Sequence, residues 1–242
     1  MRELIDDFYQ INVINPNTVT IAELTAIAHH SDSDYIFLSL KTTPVKSGLY
    51  ALQRMTHIAD DTHAILVYAD HYSMKGGNRE KHPVIDYQQG SIRDDFDFGQ
   101  IVLLRTSMLK DYLSQDNLVE YKFAQWYDLR LYLSRHGSFF HINEYLYTEE
   151  EKDLRLSGVK QFDYVDPRNR DRQMELETIA TAHLKEIGSL VDATSYIFPK
   201  FNEQDFEYEA SVIIPVYNRE KTIGDAVSSA LSQKTSFRFN VI

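Results

Sequence analysis

Residues 215–219, Pro215, Val216, Tyr217, Asn218 and Arg219, make a turn between an apolar run at 211–214 and a segment carrying Ile223, Val227 and Leu231 at helical spacing. Such a strand delivers its turn to the carboxyl edge of a sheet, where open α/β folds bind ligands. The helix that follows presents unpaired backbone N–H groups to a phosphate. A nucleotide suits that chemistry. In "RDDFDFG", residues 93–99, Asp95 and Asp97 stand two apart, a spacing of hard oxygen ligands. We read this segment as a loop that shapes the acceptor side of a cleft. His29, His30, His136 and His141 lack partners at ligand spacing and read as surface or capping residues. No G-x-G-x-x-G follows an apolar run, which disfavours a dinucleotide-binding oxidoreductase.

The whole chain bounds these readings. Its 242 residues, 43% hydrophobic and 25% charged, suit one large globular domain or two small ones. The balance of 25 Lys+Arg against 36 Asp+Glu gives a formal charge of -11, which argues against a nucleic-acid partner while leaving room for a local basic pocket. There is no cysteine, so disulfides, thiolate zinc sites and cysteine nucleophiles are excluded. The start "MRELIDDFYQ" has no apolar core, and no run approaches the roughly 18 apolar residues of a membrane span. A cytoplasmic protein without an integral membrane segment is expected. The 16 Tyr and 13 Phe suit sugar and nucleobase faces, although most are expected in the core and sheet.

Strands and helices alternate along the chain. Residues 12–14 read as a strand ended by Pro16, and Ile21, Leu24, Ile27 and Ala28 as one face of a helix. Residues 34–40 are a buried strand, 47–60 a helix, 63–72 another strand, and "SMKGGNREKH" a polar loop. "GQIVLLRTSML" is a strand running into a helix. "KFAQWYDLRLYLSRHG" is an amphipathic helix stopped by Gly137, and "FFHINEYLYTEE" is a strand. This alternation predicts βαβ units and a mostly parallel sheet. Residues 166–191 read as a long connector helix with a stripe through Met174, Ile179, Ala182 and Ile187, and 195–209 as an acidic linker.

"SVIIPVYNREKTIGDAVSSALSQ" resembles the start of family-2 glycosyltransferases, inverting enzymes of the GT-A fold that move a sugar from a nucleotide diphosphate to an acceptor. The resemblance implies that Pro215, Val216, Tyr217, Asn218 and Arg219 contact the nucleotide. Upstream, residues 34–72 are similar to the family's middle section, with Tyr68, Ala69 and Asp70 matching its Tyr-x-Asp strand end. "WYDLRLYLSRHGSFFHINEYLY" is similar to its later segment and puts Asp128 at the catalytic position. There a carboxylate takes the proton of the acceptor hydroxyl as it attacks the anomeric carbon.

The family's metal-binding Asp-x-Asp register reads Leu40, Lys41 and Thr42 here. The Mn or Mg expected of the family therefore has no carboxylates there, and Lys41 becomes a cleft candidate that can neutralise diphosphate. The segment before Ile11 is too short for the family's first strand, helix and second strand, yet residues 210–242 supply those three in order. We expect an α/β GT-A fold with a mixed, mostly parallel sheet flanked by helices, divided at 1–160, a connector at 161–208, and a displaced first strand-helix-strand at 209–242. That last piece docks on the sheet, swaps into a homodimer, or begins a second domain. The implied function is a bacterial glycosyltransferase-like protein of cell-surface polysaccharide synthesis, using a nucleotide-diphosphate sugar and a glycan or lipid-linked acceptor. The alternative is a non-catalytic scaffold that binds acceptor or supports a catalytic second domain.

Overall fold

The computed structural model of the chain describes residues 3–6, 9–88, 90–150, 169–197 and 207–242, and it divides into two units, Met1–Leu190 and Val191–Ile242. In the first unit the elements run β1 (Glu3–Asp6), β2 (Tyr9–Val13), α1 (Ile21–His30), β3 (Tyr35–Ser39), β4 (Val45–Ser47) and α2 (Ala51–Thr62). They continue through β5 (Leu66–Lys75), β6 (Asn78–His82), β7 (Ile101–Arg105), α3 (Thr106–Leu113), α4 (Gln125–His136), β8 (Phe139–Glu150) and α5 (Arg170–Glu186). The sheet has the order β1-β2-β3-β7-β5-β8-β4, with β6 paired to β5.

Alternation along each strand divides the apolar residues between two layers. Ile36, Leu38, Leu66, Tyr68, Val102 and Leu104 pack with Leu24 and Ile27 of α1, Leu109 and Tyr112 of α3, and Leu129 and Leu133 of α4. Phe37, Val67, Ala69, Ile101 and Leu103 face the other way, onto Leu52, Met55 and Ala59 of α2. Buried on both faces, β3 and β7 have no polar alternation to show, as their unbroken apolar runs require. α1 begins at a capping box in which the Glu23 backbone N–H donates to Thr20 Oγ1 and the Thr20 N–H to the Glu23 carboxylate. α4 stops at Gly137, where an added Cβ would stand 2.8 Å from Ile65 Cγ2, so close packing rather than backbone freedom selects glycine.

Four sequence expectations change. The sheet is mixed, as expected, but not mostly parallel: β2 with β3 and β5 with β8 are parallel, while β7 runs antiparallel between β3 and β5. "SMKGGNREKH" is a hairpin rather than a loop, because Gly76 and Gly77 take φ values of 55° and 85° and close a tight two-residue turn between β5 and β6. α2 starts after Leu49, which is 87% exposed. The buried stripe of α5 runs through Leu176, Ile179 and Ala180, packed on Tyr121, Ala124, Tyr127 and Leu131, while Met174 is exposed. Residues 166–168 of that expected helix, the division at 160, and residues 198–206 of the expected linker lie outside the described residues.

In the second unit β9 (Ala210–Val212), α6 (Glu220–Leu231) and β10 (Phe239–Val241) form a βαβ whose strands pair in parallel as a separate two-stranded sheet. None of its described residues is buried.

Candidate functional site

Asp70 and His71 are adjacent in β5, at a register shift in its pairing with β8, and they point to opposite layers. Asp70 is almost fully buried. Its Oδ1 accepts a hydrogen bond from the Val84 N–H at 2.9 Å and lies 2.8 Å from His141 Nε2. The other ring nitrogen, Nδ1, lies 2.8 Å from Asp86 Oδ1, and the Asp86 side chain is 77% exposed. Tyr68 stacks on His141 with centroids 5.2 Å apart and donates its hydroxyl proton to the Ile85 carbonyl. A neutral imidazole donates from one nitrogen only, so the ring satisfies one carboxylate at a time and its tautomer decides which. Asp70 Oδ2 is buried with no hydrogen-bond partner. The imidazole thus links a buried carboxylate to an exposed one, a geometry through which a proton can pass between the interior and the surface.

On the opposite layer the His71 ring lies between His82, at 4.4 Å, and Tyr147, at 5.2 Å. Its Nε2 is 3.1 Å from Glu149 Oε1 but not aligned for a hydrogen bond. Lys41 Nζ donates to that same oxygen at 2.7 Å. Burial pulls the Glu149 pKa up, but His71 and Lys41 outweigh it and hold the carboxyl below its usual range. The half-exposed Asp97 carboxyl is likewise held low: partial desolvation raises its pKa, but the Gly99 N–H and His82, whose Nε2 lies 2.9 Å from Oδ2, outweigh that. Beneath them Gln100 Nε2 donates to the carbonyls of Lys41 and Thr43 and to Ser39 Oγ, and the Tyr147 hydroxyl accepts from the Gln100 and Ile101 N–H groups.

The carry-over residues are therefore distributed. Lys41 belongs to the Glu149 cluster and Asp70 to the His141 cluster. A divalent cation does not fit at the Leu40, Lys41 and Thr42 register, where the Lys41 ammonium already engages the buried Glu149 carboxylate. Asp95 and Asp97 have different partners, Arg93 and His82, so their spacing does not make a shared ligand pair. Among the described residues no group of three or more His, Asp or Glu side chains is arranged to hold a metal ion.

Asp128 lies in the first turn of α4 and keeps a separate neighbourhood. Tyr112 donates its hydroxyl proton to Asp128 Oδ2 at 2.7 Å, and Gln125 donates to the Tyr112 oxygen. Burial raises the Asp128 pKa against the opposing effects of Tyr112 and Arg135. A carboxyl pushed upward in this way is better suited to proton transfer near neutrality than an exposed one.

Pro215, Val216, Tyr217, Asn218 and Arg219 lie in the second unit. Tyr217 is 91% exposed, Asn218 takes a left-handed φ of 54°, and no side chain caps the start of α6 after Arg219. That helix start keeps backbone N–H groups open to an anion.

Compared with protein-family models and with curated proteins, the chain matches none. None of the described helices is long and apolar enough to cross a membrane. His71, His82, Asp86, His141 and Glu149 are the polar residues that sequence reasoning missed. They meet only through the register of β5 on β8, which brings Tyr68 level with His141 and His71 level with Tyr147, and no local sequence signal announces it.

Proposed function

We propose that the chain is a glycosyltransferase-like protein of the GT-A type. It serves transfer of a sugar from a nucleotide-diphosphate sugar to a glycan or lipid-linked acceptor in bacterial cell-surface polysaccharide synthesis. The observation that carries this reading is Asp70. The Tyr68-Ala69-Asp70 stretch, which resembles the family's strand end, lies in the buried part of β5 in a helix-flanked α/β sheet and holds a carboxylate oxygen without a partner. The βαβ of residues 210–242, with its uncapped α6 and left-handed Asn218, supports reading residues 215–219 as the nucleotide turn.

The ion pair of Lys41 with Glu149 favours a second reading, in which the first unit is a non-catalytic scaffold that binds acceptor or supports a catalytic domain. Titration calorimetry of the full chain with UDP, GDP and their sugars, with and without manganese, separates the two. Asn218→Gly removes the side chain while keeping the left-handed backbone accessible. Nucleotide binding that this substitution abolishes supports the transferase reading, and turnover of Asp128→Asn then tests the base. Absence of nucleotide binding in every condition leaves the scaffold reading.

A further inference from the structure

Beyond the register shift β5 and β8, with β6 and β4, carry a surface pocket of about 610 Å³. Ligand pockets span roughly 300–1,000 Å³, so this one accommodates about two sugar rings. Its lining includes Lys46, Leu49, Met74, Arg79 and Tyr145. None of these residues serves the clusters around Asp70, Glu149 or Asp128.

The charges of this pocket are uncompensated in one direction. Among the described residues no carboxylate pairs with Lys46 or Arg79. The Arg79 guanidinium instead lies 3.5 Å from the centroid of the Tyr72 ring, and Lys81 Nζ lies 5.1 Å from that of Tyr145. Tyr72 and Tyr145 are 5.0 Å apart, so cations and rings alternate across the sheet. The acidic members of the lining are engaged: Glu149 holds Lys41, and Glu150 also has a partner. Unpaired cations are notable in a chain of formal charge -11, where carboxylates are in excess. Aromatic faces with apolar Met74 and Leu49 suit the C–H faces of pyranose rings, and the cations suit an acidic substituent.

We propose that this pocket binds an acidic glycan, a hexuronate-bearing sugar chain, with Arg79 and Lys46 taking its carboxylates and Tyr145 a ring face. The assignment rests on the glycan-handling reading for its choice of sugar, and it names the acceptor class for that reading.

Calorimetry of the full chain with tetramers of galacturonate and of glucuronate, and with their methyl esters, tests it. The acids bind and the esters, which keep the rings and lose the charge, do not. Binding weakens as salt is raised. Arg79→Gln and Lys46→Gln each lower affinity about tenfold, or about 1.4 kcal/mol, the scale of one charge-assisted hydrogen bond. Unchanged melting temperatures and unchanged UDP binding in these variants separate a lost contact from a lost fold. Failure of both acids to bind, equal binding of acid and ester, or affinity untouched by both substitutions overturns the proposal. The UDP titration with Asn218→Gly decides the transferase reading independently, so either idea can fail alone.

Discussion

His141 Nε2 lies 2.8 Å from the buried Asp70 Oδ1, across neighbouring parallel strands whose residues are 71 positions apart. The same oxygen receives the Val84 N–H, so one carboxylate ties β5 to β8 and to the segment after β6. Removing it leaves the buried Val84 N–H unsatisfied and takes the ring's buried partner away, whereas water can replace the exposed Asp86. Asp70→Ala is therefore expected to cost about 3 kcal/mol in urea unfolding and Asp86→Ala less than about 1 kcal/mol. Equal losses for the two would show that Asp70 is not the anchor of this cluster.

Glu149 gives the fold an acid-sensitive contact. Its folded pKa lies below the unfolded value because His71 and Lys41 outweigh its burial. The unfolded chain thus binds the proton more readily, and stability rises with pH through this window. The contribution is fully present above an unfolded pKa of about 4.3 and is lost as pH falls through the folded value. Glu149→Gln should unfold at lower urea than the parent at pH 7, with the gap closing as pH is lowered toward 3. A gap that stays constant would mean the carboxylate charge contributes nothing.

Asp128 has the opposite sign. Burial raises its folded pKa, so the native state binds the proton more readily and stability falls as pH rises from the unfolded value toward the folded one. Asp128→Asn keeps an oxygen for the Tyr112 hydroxyl while removing the charge. It is expected to be more stable than the parent at pH 7, by about 1 kcal/mol, with no difference at pH 3. If the same variant also loses transfer activity, the strained carboxyl is kept for chemistry. A variant less stable than the parent at pH 7 would sink this account.

Much of the first unit was legible because its elements announce themselves locally. The runs "YIFLS" and "IVLLR", the Thr20–Glu23 box, and the stop at Gly137 are properties of neighbouring residues. Strand order is not. Nothing in "IVLLR" says that β7 enters between β3 and β5 in the reverse direction, and that insertion made the sheet mixed. The candidate site suffered most from this. Lys41 and Glu149, 108 positions apart, meet only after β4 and β8 have paired, so Lys41 read alone looked available to neutralise a diphosphate. His141 read alone looked unpartnered for the same reason.

Gly99 tests whether the His71 cluster depends on close packing. Its φ of 71° lies in the left-handed region, and an added Cβ would fall 2.0 Å from the Tyr147 hydroxyl and 3.0 Å from His71 Nδ1. Neither neighbour can retreat freely: Tyr147 accepts two backbone N–H groups, and His71 is held between His82 and Tyr147. Backbone strain and overpacking add here, so Gly99→Ala is expected to cost more than about 3 kcal/mol. Pairing it with Tyr147→Phe, which removes the hydroxyl in the way, should recover part of that loss relative to the two single changes added together. Strict additivity in that cycle would show that the clash is relieved elsewhere and that Gly99 is required for its backbone conformation alone.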